Sequence, residues 1–110
     1  MSSSDSTEPQ PIRAQIDQLP GPVLLEFGTS WCGHCIAMQP HVSALLTQFT
    51  QVRHIRIEDG KGLPLGRSFQ VKLWPTFVFL KDGQVLHKAV RPAPDEVRNG
   101  LEAITKAEAR

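Results

Sequence analysis

The stretch VLLEFGTSWCGHC, residues 23–35, decides how this 110-residue chain folds. Its first part, residues 23–27, is a compact apolar run bounded by turn-forming residues, a pattern that predicts a buried strand. Apolar side chains then share one face over about 33–50, which predicts a helix. The two cysteines of the chain, Cys32 and Cys35, therefore stand where a strand ends and a helix begins.

Outward from this junction, helix and strand patterns alternate along the chain. Pro40 lies inside the predicted helix, where it removes one backbone hydrogen bond and is expected to kink the helix. A strand–helix–strand unit pairs its strands in parallel through a right-handed crossover, and a later hairpin adds antiparallel strands. The sequence thus predicts an α/β fold with a mixed sheet of four strands and helices on both faces. The remaining predicted elements are a helix over about 11–19, strands over 52–58, 76–80 and 84–90, a short helix over 63–69 and a last helix capped by Asp95.

Length and charge limit the classes of protein to consider. A chain of 110 residues fits one domain and is long enough to bury a core without stabilising disulfides or metal ions. Twelve Lys and Arg residues against eleven Asp and Glu leave a net charge of +1, which excludes a broad electrostatic surface for nucleic acid or anionic membranes. No window approaches the ~18 apolar residues of a membrane span. We therefore expect a soluble domain with no nucleic-acid or membrane partner, and a monomer by default.

The first eleven residues, MSSSDSTEPQP, are polar, interrupted by proline and slightly acidic. A secretory signal needs a basic start followed by an apolar stretch, and a mitochondrial transit peptide is rich in Arg and poor in acids, so neither is predicted. We expect residues 1–10 to form a disordered tail and residues 11–110 to form the domain. The lack of a signal pattern favours the cytoplasm.

The placement of the two cysteines predicts chemistry for them. In a reducing compartment a purely structural disulfide is not expected, and a bridge across two residues closes too short a loop to add much stability. Unpaired amides and the dipole at a helix N-terminus stabilise a thiolate, which makes Cys32 acidic and nucleophilic. A spacing of three on a helix brings Cys35 beside Cys32, where it can resolve a mixed disulfide. His34 adds a titratable donor next to the thiolate.

A zinc site is the rival interpretation of two cysteines at this spacing, and an inert pair is a third. Zinc takes four ligands, usually from two such pairs, and this chain has one pair. His34 lies between the cysteines and cannot easily join them, and the other three histidines have no paired-ligand spacing. One such pair beside a strand–helix–strand pattern indicates redox chemistry, with no metal and no cofactor.

Several separated motifs lie along residues 23–104: the strand 23–27, the Trp-Cys-Gly-His-Cys sequence at 31–35, Pro40, Trp74-Pro75-Thr76 and Lys81-Asp82-Gly83. Together they resemble the motifs of the thioredoxin family, and the resemblance implies the thioredoxin fold. The family's usual first strand has no convincing counterpart in the polar residues 1–9, so we expect four strands rather than five.

The resemblance also implies roles for individual residues. Pro75 corresponds to the family's cis-proline that faces the two cysteines, and the backbone of Trp74 is expected to pair with a substrate strand. Glu26 falls where the family keeps a buried acid beneath the resolving cysteine. Burial disfavours the charged form of a carboxyl, which suits Glu26 to take the proton from Cys35.

Trp31 is expected to shield the site and to contact substrate together with Gly33. Simple packing is the alternative interpretation for Trp31 and Trp74, because single exposed aromatic residues are common. A solvated edge position without a role is the alternative for Glu26, although a place inside an apolar run speaks against it.

Several positions depart from the family's usual pattern. Trp74 stands where thioredoxins often carry a smaller aliphatic residue. His34 stands where thioredoxins usually carry proline and is more typical of protein disulfide isomerase domains. Gly28 stands where thioredoxins usually carry an aromatic residue, and Arg91-Pro92 replaces a glycine-bearing loop that lines the substrate groove. These departures bear on partner recognition, including recognition by a standard thioredoxin reductase, and leave the dithiol chemistry unchanged.

The leading functional hypothesis is a thiol-disulfide oxidoreductase, a protein disulfide reductase of thioredoxin type. Its expected partners are disulfide-containing proteins and a thioredoxin reductase-like electron donor. One alternative is a more oxidising enzyme similar to disulfide isomerases, because an imidazolium at His34 would stabilise the Cys32 thiolate. Another is a binding or chaperone module that uses the groove without turnover.

Overall fold

Residues 10–106, the part of the chain that the computed structural model describes, form four helices and four strands in the predicted order. The elements are α1 (Arg13–Asp17), β1 (Pro22–Gly28), α2 (Gly33–Leu46), β2 (Arg53–Glu58), α3 (Pro64–Ser68), β3 (Thr76–Lys81), β4 (Gln84–Val90) and α4 (Pro94–Thr105).

The four strands form one mixed sheet in the order β2-β1-β3-β4. β1 and β2 run parallel and are joined by α2, whereas β1 pairs antiparallel with β3, and β3 with β4. This confirms, for residues 10–106, the predicted α/β fold with a mixed sheet of four strands. The side chain of Gln10 hydrogen-bonds to the backbone of Glu58 and Leu65. The rest of the predicted tail, residues 1–9, lies outside the described residues.

Each face of the sheet carries its own apolar core. Successive side chains of a strand point to opposite faces, so Leu24 and Glu26 of β1 face one side and Leu25 and Phe27 face the other. With both faces covered, β1 is held firmly, and its carboxyl end positions the cysteines that follow. The first core contains Met38, Val42, Leu45, Val97, Leu101 and Ile104 from α2 and α4, and the second contains Ile16, Leu65 and Phe69 from α1, α3 and the segment after α3.

Several helix ends differ from their predicted positions. The last helix begins at Pro94 with Ala93 as its N-cap, so the prediction that Asp95 caps it is wrong. Proline is preorganised for the first helical position, and Asp95 lies within the first turn, where its charge complements the helix dipole. The helix after the cysteines ends at Leu46, and α1 covers only Arg13–Asp17.

Candidate active site

The two cysteines lie at the N-terminus of α2, directly after β1. Cys32 is the N-cap residue, with extended backbone (φ −76°, ψ 122°), and Cys35 lies in the first turn of the helix. Both are unpaired thiols, and both are buried, with 8% of Cys32 and 4% of Cys35 exposed. A sulfur at this place is near N–H groups that no helical carbonyl satisfies, which favours its anionic form.

The two thiols differ in acidity. Burial raises the pKa of Cys32, but hydrogen bonds from the Cys35 thiol and from the backbone N–H groups of Cys35 and His34 oppose this effect. The positive charge of Arg91 adds to them, so the pKa of Cys32 lies below its ordinary value of 9.0. Burial also raises the pKa of Cys35, as does its hydrogen bond to Cys32, and with the negative charges of Cys32 and Glu26 that pKa reaches about 11. Cys32 is therefore the sulfur that ionises first, while Cys35 keeps its proton.

A cis peptide bond joins Trp74 and Pro75 beside the cysteines, which confirms the geometry implied for Pro75. The Sγ atom of Cys32 lies 4.0 Å from the carbonyl oxygen of Trp74. Pro75 is buried, and Trp74 is half-buried. The backbone of Trp74 therefore lies next to the sulfur that ionises first.

Two tryptophan rings of the site contact each other. The rings of Trp31 and Trp74 are 5.8 Å apart and nearly perpendicular, at 84°. The indole Nε1 of Trp74 donates a hydrogen bond of 3.0 Å to Oδ2 of Asp59, so this ring has a fixed polar anchor besides its packing. Trp31 is 71% exposed and presents apolar surface next to the cysteines.

Glu26 lies on the face of β1 that α2 covers. It is only 5% exposed, so a solvated edge position is wrong. Its Oε1 atom lies 2.7 Å from Nε2 of His54 on β2, and His54 is itself half-buried. Glu26 thus has the Cys35 thiol within the reach of its charge and a histidine as its hydrogen-bonding partner. An open recess adjoins this pair and is lined by Glu26, Gln39, Val42, Ser43, His54 and Arg56.

Arg91, the residue after β4, borders the site on the side of the cis peptide bond. Its Nε atom donates a hydrogen bond of 2.8 Å to the carbonyl oxygen of Trp74. Its backbone N–H donates to the carbonyl oxygen of Pro75 at 2.9 Å. Both contacts hold Arg91 against the backbone that borders Cys32.

The structure brings Cys32, Cys35, Trp31, Trp74 and Pro75 together, with Glu26 behind them on β1. Gly33 and His34 are exposed in the first turn of α2, and open space surrounds Gly33. The influence of His34 on Cys32 comes through its backbone N–H, whereas the sequence interpretation assigned it to the imidazole.

The sequence interpretation assigned no site role to four contacting residues: Asp59, His54, Gly28 and Arg91. A Cβ atom added at Gly28 would lie 2.5 Å from the Sγ atom of Cys35, so the packing of α2 on β1 requires glycine there. The glycine was noticed as a departure from the family pattern, and that was the available signal. No local pattern marks Asp59 or His54, because each meets its partner across the fold.

Two classes of feature are absent from residues 10–106. No group of three or more His, Cys, Asp or Glu side chains is arranged to hold a metal ion in this part of the chain. Within the same residues, no helix has the length and apolar character needed to cross a bilayer.

Comparison with protein families gives a match over most of the chain: the family model described as Thioredoxin matches residues 5–103. Among curated proteins, the chain is 39% identical over 70 residues to Thioredoxin Asp f 28 of Aspergillus fumigatus. The aligned residues make up 64% of this chain and 65% of that protein. The chain is 30% identical over 79 residues to the mitochondrial Thioredoxin-3 of Saccharomyces cerevisiae, covering 72% of this chain and 62% of that protein. The aligned part thus spans slightly less than two thirds of the length of these two relatives.

Comparison with solved structures gives similar folds over a larger share of each chain. Reduced thioredoxin 2 of Pseudomonas aeruginosa superposes with a TM-score of 0.78 and 48% identity, over 94% of this chain and 96% of that chain. Oxidised mitochondrial thioredoxin 3 of Saccharomyces cerevisiae superposes with a TM-score of 0.73 and 30% identity, over 83% of this chain and 85% of that chain.

Proposed function

This chain belongs to the thioredoxin family, and from that premise we propose that it reduces protein disulfides through Cys32 and Cys35. One observation carries the proposal: two reduced thiols of unequal acidity stand at the N-terminus of α2, beside the cis Trp74–Pro75 bond. An attacking thiolate and a protonated thiol within its reach are the two groups that dithiol–disulfide exchange requires.

In the first step, the Cys32 thiolate attacks one sulfur of a substrate disulfide. A bond forms between the two sulfurs, the substrate disulfide breaks, and its other sulfur leaves as a thiolate that takes a proton from water. The neighbouring backbone of Trp74 supports this step, because an extended substrate segment can pair with it in the manner of an added strand. Trp31 and Gly33, both exposed beside Cys32, provide contact surface for that segment.

In the second step, Cys35 loses its proton and attacks the Sγ atom of Cys32. This breaks the mixed disulfide, releases the second substrate thiolate and leaves a Cys32–Cys35 disulfide, so two electrons have passed to the substrate. Glu26 takes the proton, because its charge acts on the Cys35 thiol from the facing strand. His54 orients Glu26, and the adjoining recess gives the proton an exit to water.

The wider setting of the reaction follows from its electron balance. Each turnover leaves the enzyme oxidised, so a donor must return two electrons to the disulfide, and we infer that this donor is thioredoxin reductase-like. The cytoplasm suits this cycle, because a reducing compartment keeps Cys32 and Cys35 in the dithiol form. The protein works as a monomer on disulfide-containing protein substrates.

One observation favours a second candidate, a more oxidising enzyme of isomerase type. The groups that lower the pKa of Cys32 stabilise its thiolate and hence the reduced form, which makes the disulfide a stronger oxidant. Equilibration of the protein in glutathione buffers with thiol trapping separates the two candidates. A potential near that of thioredoxins, about −270 mV, fits a reductase, whereas one near that of disulfide isomerase, about −180 mV, fits the second candidate.

The variant Cys35→Ser tests the proposed function directly. Without the resolving thiol, the first step proceeds and the second cannot, so covalent adducts with a model protein that has an exposed disulfide should accumulate. Non-reducing gels detect them, and a reductant should release them. The matched control is Cys32→Ser, which should form no adducts at neutral pH. Absence of adducts with Cys35→Ser would contradict Cys32 as the attacking sulfur, and a chaperone activity that survives Cys32→Ser would favour the binding-module alternative.

A further inference from the structure

Arg91 has an unusual backbone position at the mouth of the site. Its φ angle is +47°, a left-handed conformation that residues other than glycine seldom adopt. Two hydrogen bonds hold it there, from its backbone N–H to Pro75 and from its Nε atom to Trp74. A strained conformation persists where the surrounding structure fixes it, and such positions concentrate at functional sites.

The guanidinium of Arg91 shares an oxygen with the attacking sulfur. The carbonyl oxygen of Trp74 accepts the hydrogen bond from Arg91 at 2.8 Å and lies 4.0 Å from the Sγ atom of Cys32. The cation therefore stands next to the place where a substrate sulfur must bond to Cys32. Its positive charge is also one of the causes that lower the pKa of Cys32.

No carboxylate neutralises this cation within residues 10–106. The ion pairs there that involve other arginine or histidine side chains are Arg13–Asp17, His54–Glu26 and His87–Glu96. Arg91 is exposed, and within residues 10–106 only its Nε atom makes a side-chain hydrogen bond. Its terminal N–H groups are left to bind a group from outside the molecule.

The Asp59 carboxylate of the site has a partner other than these N–H groups. Asp59 accepts its hydrogen bond from the indole Nε1 of Trp74, whereas Arg91 binds the backbone carbonyl of the same residue. Trp74 thus has a carboxylate at its ring and a cation at its backbone, and the backbone is the part next to Cys32.

We propose that Arg91 is a specificity-determining residue that selects substrate segments with an acidic side chain beside the attacked cysteine. A guanidinium presents several donors in a planar fork, and a carboxylate is the group whose geometry matches it. Arg91 bonds to the carbonyl oxygen of Trp74, which can accept a second hydrogen bond, so a substrate strand that pairs there shares this oxygen with the guanidinium. An acidic side chain on that strand then lies within reach of the remaining N–H groups of the same guanidinium. This inference rests on the proposed function.

The test compares two blocked tripeptide disulfides that differ in one group. One is the symmetrical disulfide of acetyl-Gly-Cys-Glu-amide, and the other that of acetyl-Gly-Cys-Gln-amide. In each reaction the Cys32–Cys35 dithiol is oxidised to a disulfide and one peptide disulfide is reduced to two thiols. The rate is followed by thiol trapping, and dithiothreitol gives the intrinsic reactivity ratio of the two peptides.

We expect the protein to prefer the Glu peptide, relative to dithiothreitol, by about three- to fivefold, as suits a partly exposed ion pair. The preference should fall as salt is added, since charges at the rim of an interface act on association. Arg91→Gln should abolish the preference, and Arg91→Lys should keep part of it. The control Arg53→Gln removes the same charge at the start of β2, away from the site, and should leave the preference unchanged.

Three results are distinguishable. Equal rates for both peptides with the unmodified protein, or a preference that salt does not change, would overturn the role of Arg91 even if no variant folds. A preference that survives in Arg91→Gln would overturn it as well. Failure to reduce either peptide would count against the proposed function itself, which separates the two failures.

Discussion

At the residue scale, the reactivity of the site depends on where each sulfur finds its hydrogen-bond donors. Cys32 receives them from Cys35 and from the first backbone N–H groups of α2, and Cys35 donates its own proton to Cys32. One thiol is thereby poised to ionise while its neighbour resists. Because the two pKa values differ in the free protein, Cys32 attacks the substrate disulfide first and Cys35 resolves the mixed disulfide second.

The asymmetry predicts a pH profile for alkylation of the reduced protein. Thiolates react with iodoacetamide and thiols do not, so the rate at each cysteine rises as the pH rises through its pKa. Because the pKa of Cys32 is lowered, its midpoint should fall below 9.0, whereas Cys35 should stay largely unmodified until the pH approaches about 11. Mass spectrometry of peptides alkylated at a series of pH values gives both midpoints. Equal midpoints would contradict the division of roles.

Two substitutions at His34 separate its backbone from its ring. His34→Ala removes the imidazole and keeps the N–H that stabilises the Cys32 thiolate, whereas His34→Pro removes both. Loss of a hydrogen bond to a charged group destabilises the reduced form, so the reduction potential should become more negative, by about 30 mV or more in His34→Pro. The shift in His34→Ala should be smaller. If both variants shift equally, the imidazole rather than the N–H is responsible.

At the scale of elements, two residues of β1 lie on the sheet face that α2 covers. Glu26 and Gly28 are two positions apart, so both point to the same face of the sheet, where Cys35 packs. Glu26 places a negative charge near the Cys35 thiol, and Gly28 leaves room for the Cys35 side chain. The register of β1 therefore sets both the proton transfer and the position of the resolving sulfur.

Glu26→Gln should slow the second step and spare the first. The amide keeps the shape of the side chain and removes the group that accepts the proton from Cys35, and loss of a general base costs about 100-fold or more. Single-turnover trapping should then show the mixed disulfide accumulating. Glu102→Gln, an exposed substitution on α4, serves as the control and should behave as the unmodified protein does. An unchanged second step would remove Glu26 from the mechanism.

Gly28→Ala should displace the resolving cysteine. The added Cβ would lie 2.5 Å from the Sγ atom of Cys35, so α2 or the side chain must shift. Overpacking of a core contact typically costs about 1–3 kcal/mol. We expect a lower free energy of unfolding in urea and slower resolution of the mixed disulfide. The control is Gly33→Ala, because nothing lies within 4 Å of a Cβ atom added there.

At the scale of the whole molecule, local patterns predicted the elements and the sheet, and contacts between distant residues had to come from the fold. The apolar run at residues 23–27 and the apolar spacing over about 33–50 are properties of short windows, which is why β1 and α2 were predicted. The bond from Arg91 to Trp74 joins residues 17 positions apart, and the bond between His54 and Glu26 joins residues 28 apart. No window holds both partners, so neither bond could be inferred from the sequence.

The resemblance to the thioredoxin family predicted some features that local sequence patterns could not. It identified Pro75 as a cis residue and Glu26 as a buried acid, and the structure agrees on both. It did not predict the side-chain contacts at positions where this chain departs from the family. Gly28, Trp74 and Arg91 are such positions, and there the physical contacts define the site.

Because Trp31 and Trp74 contact each other at the active site, intrinsic tryptophan fluorescence reports on that site. The chain contains these two tryptophans and no tyrosine, so almost all of its near-ultraviolet emission comes from the rings that flank Cys32. Any event that changes the charge or the packing at this sulfur changes the surroundings of both emitters. Oxidation, adduct formation and substrate docking can therefore be followed in the unlabelled protein, in real time, with no background from the rest of the fold.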